Sequence, residues 1–154
     1  MTINSKVTVI LPTLNEEKNL RSLIPEMIEL FENDLHIIYE IIVVDDGSTD
    51  QTDKYVKEIA KNNNAIKIKI RKSEKSLPLS ILDGIKISEF DDVMWLDADG
   101  SMTVKAMKKL LTIYFQNKNE GEEKVIVGSR FIEGGGYKGV KDVKNQSIFK
   151  SIKN

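Results

Sequence analysis

Five short apolar runs punctuate the chain: Val7 to Leu11, Ile41 to Val44, Ile66 to Ile70, Val93 to Leu96 and Val125 to Val127. They are rich in Val and Ile, which is how strands covered on both faces of a parallel sheet read. The third differs, because Lys67 and Lys69 alternate with isoleucines and imply one solvated face. Between the runs, apolar residues recur at helical spacing. Leu20, Leu23, Ile24, Met27, Ile28 and Phe31 mark a first helix, and Tyr55, Val56 and Ile59 a second. Ile81, Leu82 and Ile85 mark a third, and Met107, Leu110, Leu111 and Tyr114 a fourth. Asn15 ahead of Glu16 and Glu17 reads as an N-cap followed by first-turn acids, and Ser48 with Gln51 matches a capping box. Pro25 lacks an N–H inside the first helix and predicts a kink there.

Strand and helix alternating in this way predict an α/β fold with a mostly parallel, Rossmann-like sheet flanked by helices. In such folds ligands bind beyond the carboxyl ends of the strands. Residues 1–133 make up this domain, and Gly134-Gly135-Gly136 opens a partly mobile, Lys-rich tail over 134–154.

Composition narrows the chemistry. A chain of 154 residues and 17.5 kDa fits one domain, so one site is expected. Lys and Arg number 23 against 24 Asp and Glu, a balance that gives no case for nucleic acid. Without cysteine, and with His36 as the lone histidine, any metal must be held by oxygen. The N-terminus lacks the order of a signal peptide, and no apolar run approaches the ~20 residues of a membrane span. The chain is therefore expected to be cytoplasmic.

Polar residues of a restricted kind follow four of the runs: Pro12-Thr13-Leu14-Asn15-Glu16, Asp45-Asp46-Gly47-Ser48, Asp97-Ala98-Asp99 and Gly128-Ser129-Arg130. Each taken alone is ordinary turn and cap chemistry. Asp45-Asp46 and Asp97-Ala98-Asp99 on one rim are different, since clustered carboxylates repel unless a cation compensates them. Residues one apart on an extended segment share a side, and small Ala98 leaves room for a ligand against the backbone. Hard Mg²⁺ or Mn²⁺ takes one or two carboxylates and completes its shell with diphosphate oxygens, which suits a nucleotide-sugar donor. No dinucleotide fingerprint or P-loop is present. Val93 to Ser101 also resembles the Asp-x-Asp-Gly-Ser segment of haloacid-dehalogenase-like phosphatases. In that family the motif opens the domain, whereas here it follows the fourth strand.

Together, Val9 to Leu20, Tyr39 to Asp50, Leu96 to Asp99 and Val127 to Phe131 resemble family 2 glycosyltransferases of the GT-A fold. The closest likeness is to the dolichyl-phosphate (polyprenyl-phosphate) mannosyl- and glucosyltransferase branch. The resemblance implies transfer of a hexose from GDP- or UDP-hexose to a lipid phosphate, with inversion and metal assistance. It implies that Pro12, Leu14 and Glu16 line the nucleotide pocket and that Val44 and Asp46 contact base or ribose, with Asp45 serving the turn or the ribose. Asp97 and Asp99 would act through Mg²⁺ or Mn²⁺ and the diphosphate, with Ala98 alongside, and Arg130 would answer the phosphate charge. Ser101 stands where the family often has Gln. Ser76-Leu77-Pro78 falls in a stretch where the family is glycine-rich. Lys138 and Lys144 are the candidate acceptor contacts, at a peripheral membrane face. A phosphate acceptor is already anionic at neutral pH and needs no protein base. The sequence also admits a non-catalytic nucleotide-sugar-binding half that a second polypeptide completes.

Overall fold

The first four strands form where the apolar runs predict them. A computed structural model describes residues 5–121 and 125–129. Its strands are β1 (Lys6–Thr13), β2 (Ile38–Asp45), β3 (Ile66–Ile70) and β4 (Val93–Trp95). Its helices are α1 (Glu17–Glu29), α2 (Thr52–Ala60), α3 (Leu77–Lys86) and α4 (Val104–Asn119). The strands form one parallel sheet in the order β3-β2-β1-β4. β1 and β2 stay in register from Lys6 opposite Ile38 to Thr13 opposite Asp45, so their carboxyl ends finish level.

The period of two along the strands sorts the core into two unequal parts. Val7, Val9, Leu11, Ile41 and Val43 join Leu20, Met27, Val56, Met107 and Leu111 in the main core. Ile10, Ile42 and Val44 form a small second cluster, and α3 packs over β1 and β2. β3 is an edge strand whose exposure rises toward Ile70, as its alternating lysines predict.

Several expectations give way to the structure. α1 continues through Pro25 to Glu29 and widens only afterwards, in a π-helical segment Leu30–Leu35 that ends on left-handed His36. α3 buries Ser80 and Gly84, and Leu82 and Ile85 face outward at 48% and 43% exposure. Small residues let the helix approach the sheet closely: a Cβ on Gly84 would stand 2.6 Å from Ile10 Cγ2. β4 is short and lies at the open edge, leaving Val93 and Trp95 half exposed. Val125 and Val127 are exposed and enter no strand, so the fifth strand is absent among the described residues. Residues 130–154, with Arg130, the Gly134–Gly136 loop, Lys138 and Lys144, lie outside the described residues. No helix among the described residues is long and apolar enough to cross a membrane.

One buried charge braces the amino ends of the strands. Glu40, 1% exposed, accepts from the Thr8 hydroxyl at 2.8 Å and the Glu89 N–H at 3.0 Å. Its other oxygen has Lys67 Nζ at 2.5 Å, and Lys67 also reaches Glu89 at 3.0 Å. Burial alone would raise the Glu40 pKa, but Lys67 and the two further donors outweigh it and hold the carboxyl below its ordinary value. A depressed carboxylate adds stability above its unfolded pKa and loses it as pH falls through the folded value. Glu40→Gln is therefore expected to lower stability at neutral pH and to flatten the decline below about pH 4.5, as read by urea midpoints across pH. Gly84→Val should cost about 1–3 kcal/mol by overpacking against Ile10, as read by the same midpoints.

Candidate functional site

The loops after β1 and β2 are stitched together at the level carboxyl ends of their strands. Asn15, at φ 60°, does not cap α1. Its Oδ1 accepts instead from the Thr49 N–H at 2.7 Å and the Asp50 N–H at 3.3 Å. The free N–H groups entering α1 are met from the neighbouring loop: Asn15 N–H by Ser48 Oγ at 2.8 Å, Glu16 N–H by Thr52 Oγ1 at 3.1 Å, and Glu17 N–H by Asp50 Oδ2 at 3.2 Å. Ser48 is thus committed to this junction, and α2 starts only at Thr52, whose N–H donates to Asp50 Oδ1 at 2.9 Å. Both sequence-expected caps are replaced by one inter-loop network, because each loop supplies the acceptors that the other lacks.

Asp45 and Asp46 are both buried, and they do different work. Asp45 accepts from the Ser48 hydroxyl and the Ser48 N–H, which closes the turn at Gly47 (φ 82°). Asp46 turns the other way. One oxygen pairs with Arg71 Nη1, and the other accepts from the Ser76 N–H at 2.6 Å. Arg71 directly follows β3 and is 6% exposed. Its remaining N–H groups reach Asp83 Oδ2 at 3.1 Å, Ser80 Oγ at 3.2 Å and Ser73 Oγ at 2.9 Å. Beside this cluster opens a cleft of about 280 Å³, lined by Pro12, Thr13, Leu14, Asp46, Lys75, Ser76, Leu77 and Ser80. Pro12, Leu14 and Leu77 supply apolar surface, and the carboxylate and hydroxyl groups supply polar contacts, the usual make-up of a small-molecule site.

Asp97 and Asp99 leave the sheet beside β1, just beyond the hydrogen bond from Leu96 N–H to Ile10 C=O at 3.2 Å. Both are exposed, while Ala98 between them is buried, so the two carboxylates share the outer side. The Ser101 N–H donates to Asp99 Oδ1 at 2.8 Å across a turn that Gly100 makes at φ 75°. Asp97 has no hydrogen-bond or ion-pair partner among the described residues. Two solvent-facing carboxylates, one of them uncompensated, fit a hard divalent ion that draws its other ligands from water and substrate. No group of three or more potential ligands occurs among the described residues.

Of the sequence-expected residues, Pro12, Leu14 and Asp46 meet in the cleft. Glu16 stands at the α1 entrance, where its Oε2 accepts from the Asn19 amide at 2.6 Å. Val44 is fully buried with Ile10 and Ile42. Arg71, Ser76, Ser80 and Asp83 were not anticipated. The rule that ligands gather after strands reaches Arg71 as readily as Asp46, but the half-polar β3 drew no attention to its own end.

The sequence profile of Glycosyl transferase family 2 matches residues 8–152. The chain is 34% identical over 131 residues to a dolichol-phosphate mannosyltransferase of Pyrococcus furiosus, covering 84% of this chain and 34% of that protein. It is 32% identical over 111 residues to a human dolichyl-phosphate beta-glucosyltransferase, covering 68% of this chain and 34% of that one. It thus spans about a third of the length of these relatives. Among solved structures, residues 1-349 of Staphylococcus aureus TarS superpose with a TM-score of 0.59 at 26% identity, covering 73% of this chain and 33% of that one. A Pyrobaculum calidifontis mannosyltransferase solved with GDP-Man and Mn²⁺ shares the fold at a TM-score of 0.50 and 24% identity, covering 60% of this chain and 27% of that one. With the parallel sheet, the cleft at its carboxyl rim and the Asp97-Ala98-Asp99 turn beside it, these matches assign the chain to glycosyl transferase family 2, in the GT-A fold.

Proposed function

We propose that this chain forms the donor-binding part of an inverting glycosyltransferase that moves a hexose from a nucleoside diphosphate to a dolichyl- or polyprenyl-type phosphate. The observation that carries the reading is one rim holding both a cleft with apolar walls over Asp46 and an exposed Asp97/Asp99 pair. The nucleoside lies in the cleft, with its base against Pro12, Leu14 and Leu77 and its polar edge on Asp46. Asp97 and Asp99 would hold a divalent ion, which would supply charge neutralisation for the departing diphosphate. Asp99 is oriented for this by the Ser101 N–H, and Asp97 is left open by the lack of a partner among the described residues.

Arg130 adds its planar fork to the phosphate oxygens, a geometry that a Lys does not match. The acceptor phosphate is anionic at neutral pH and attacks without a protein base. Lys138 and Lys144 attract it at a cytoplasmic membrane face, a placement supported by the dolichol-phosphate names of the relatives. A second polypeptide, or further chain of the kind those relatives possess, positions the lipid.

GDP or UDP with Mn²⁺ should raise the melting temperature, and EDTA should remove most of the shift; ligand at about 100 times its Kd adds about 2.7 kcal/mol. Equal shifts in both conditions would count against the carboxylate pair. Asp99→Asn should abolish the metal-dependent part while melting remains cooperative. Asp46→Ala should weaken nucleotide binding by more than about 1 kcal/mol, the net value of an ordinary hydrogen bond. Labelled-donor assays with short polyprenyl phosphates, with and without membranes, test the transfer itself. Donor binding with no transfer in either assay would favour the non-catalytic reading.

A further inference from the structure

We infer that Asp83 on α3 is a positioning residue for base selectivity, acting through Arg71 on Asp46. The inference rests on the nucleoside reading of the cleft and goes beyond it by naming what orients the carboxylate that meets the base. Arg71 lies between two acids, with Nε donating to Asp83 Oδ2 at 3.1 Å and Nη1 paired with Asp46. The guanidinium is planar, so fixing Nε at Asp83 sets the direction in which Nη1 points. Ser80 Oγ and Ser73 Oγ take further donors and complete the cradle. The Arg71 side chain is 2% exposed, whereas that of Asp83 is 31% exposed. Asp83 is therefore a partly exposed anchor of a buried guanidinium. Its contact to Lys86 at 3.6 Å is longer and comes from a side chain 72% exposed, so it competes little with Arg71.

What the anchor protects is the orientation of the Asp46 carboxylate. Arg71 and the Ser76 N–H hold the carboxylate turned along the cleft wall, with lone pairs left over for a ligand. A carboxylate in that state accepts from a base edge that carries ring N–H groups, as guanine and uracil do. Adenine offers an unprotonated ring nitrogen at the corresponding edge and is repelled. If Asp83 lets go, the guanidinium can turn away, and the discrimination weakens while the Asp97/Asp99 pair, beyond β4 at the other end of the strand order from β3, is untouched.

The experiment titrates GDP, UDP, ADP and pyrophosphate, each with Mn²⁺, into the wild-type chain and into Asp83→Asn, Asp83→Glu and Arg71→Lys. Asp83→Asn should lower the preference for GDP or UDP over ADP about tenfold, the weight of one charge-assisted hydrogen bond. Pyrophosphate affinity should stay within about twofold, as for an independent site. Asp83→Glu, which keeps the charge, should restore most of the preference, and Arg71→Lys should lose it. Retained preference in Asp83→Asn or in Arg71→Lys would overturn the proposal, as would equal weakening of all four ligands. Wild-type chain that binds pyrophosphate but no nucleotide would overturn the nucleoside reading together with it.

Discussion

Two adjacent carboxylates at the end of β2 are both buried, and neither can stay there unpaired. An isolated buried charge costs several kcal/mol, so the surrounding chain must bring donors to each. Asp45 finds its donors three residues on, in Ser48, and the loop curls back into a turn. Asp46 has no local donor and draws on the ends of two other elements, Arg71 after β3 and the N–H of Ser76 at the start of α3. The contrast decides the shape of the rim. Because Ser48 is tied to Asp45, its oxygen also receives the Asn15 N–H and joins the β1 loop to the β2 loop. Because Asp46 reaches outward, α3 is held with its first turn beside Leu14 and the cleft opens between them.

This arrangement explains which parts were legible beforehand. The four strands and four helices follow from apolar periodicity, since burial of Val, Ile and Leu dominates at those positions and does not depend on partners far away. The carboxylates were legible because acids at strand ends have few structural uses. Arg71 was not, for its role exists only after β3 has paired with β2 and brought Ile70 level with Asp45. Asn15 was misread for the same reason: a capping residue and a residue that bridges loops look identical in one dimension. The local rule for N-caps lost to a longer-range set of acceptors from Ser48, Asp50 and Thr52. Val44, which the resemblance implies as a base or ribose contact, is fully buried. Side chains alternate across a strand, so Val44 faces Ile10 and Ile42 under α3.

The helix faces carry a related lesson about what periodicity reports. In α1 and α4 the apolar stripe is the buried one, as Leu20, Leu23 and Met27 or Met107 and Leu111 show. In α3 the stripe of Leu79, Leu82 and Ile85 is exposed, and Ser80 and Gly84 make the contact with the sheet. Close approach at Gly84 brings α3 against Ile10, so van der Waals contact is made with backbone and small side chains. A helix apolar on its outer face is usual where another layer follows. Val93 and Trp95 lie in register with Thr8 and Ile10 and therefore share the α3 side of the sheet. They extend the same uncovered surface to the open edge of β4.

In the proposed reading the donor is held at the carboxyl rim of the sheet. The stitched loops, the Arg71 cluster and the Asp97-Ala98-Asp99 turn all draw on strand ends that pair among themselves, so a donor site can be ordered by the described residues alone. The relatives are about three times longer than the matched region, and proximity and orientation account for about 7–11 kcal/mol of a barrier in well-placed reactions. In the proposed reading, a rim that binds and polarises a donor gains that contribution only when the second reactant is positioned too. Affinity for the nucleotide and rate of transfer are, in that reading, separable properties. The first would rest on Asp46 and its Arg71 anchor, and the second on how the acceptor is positioned.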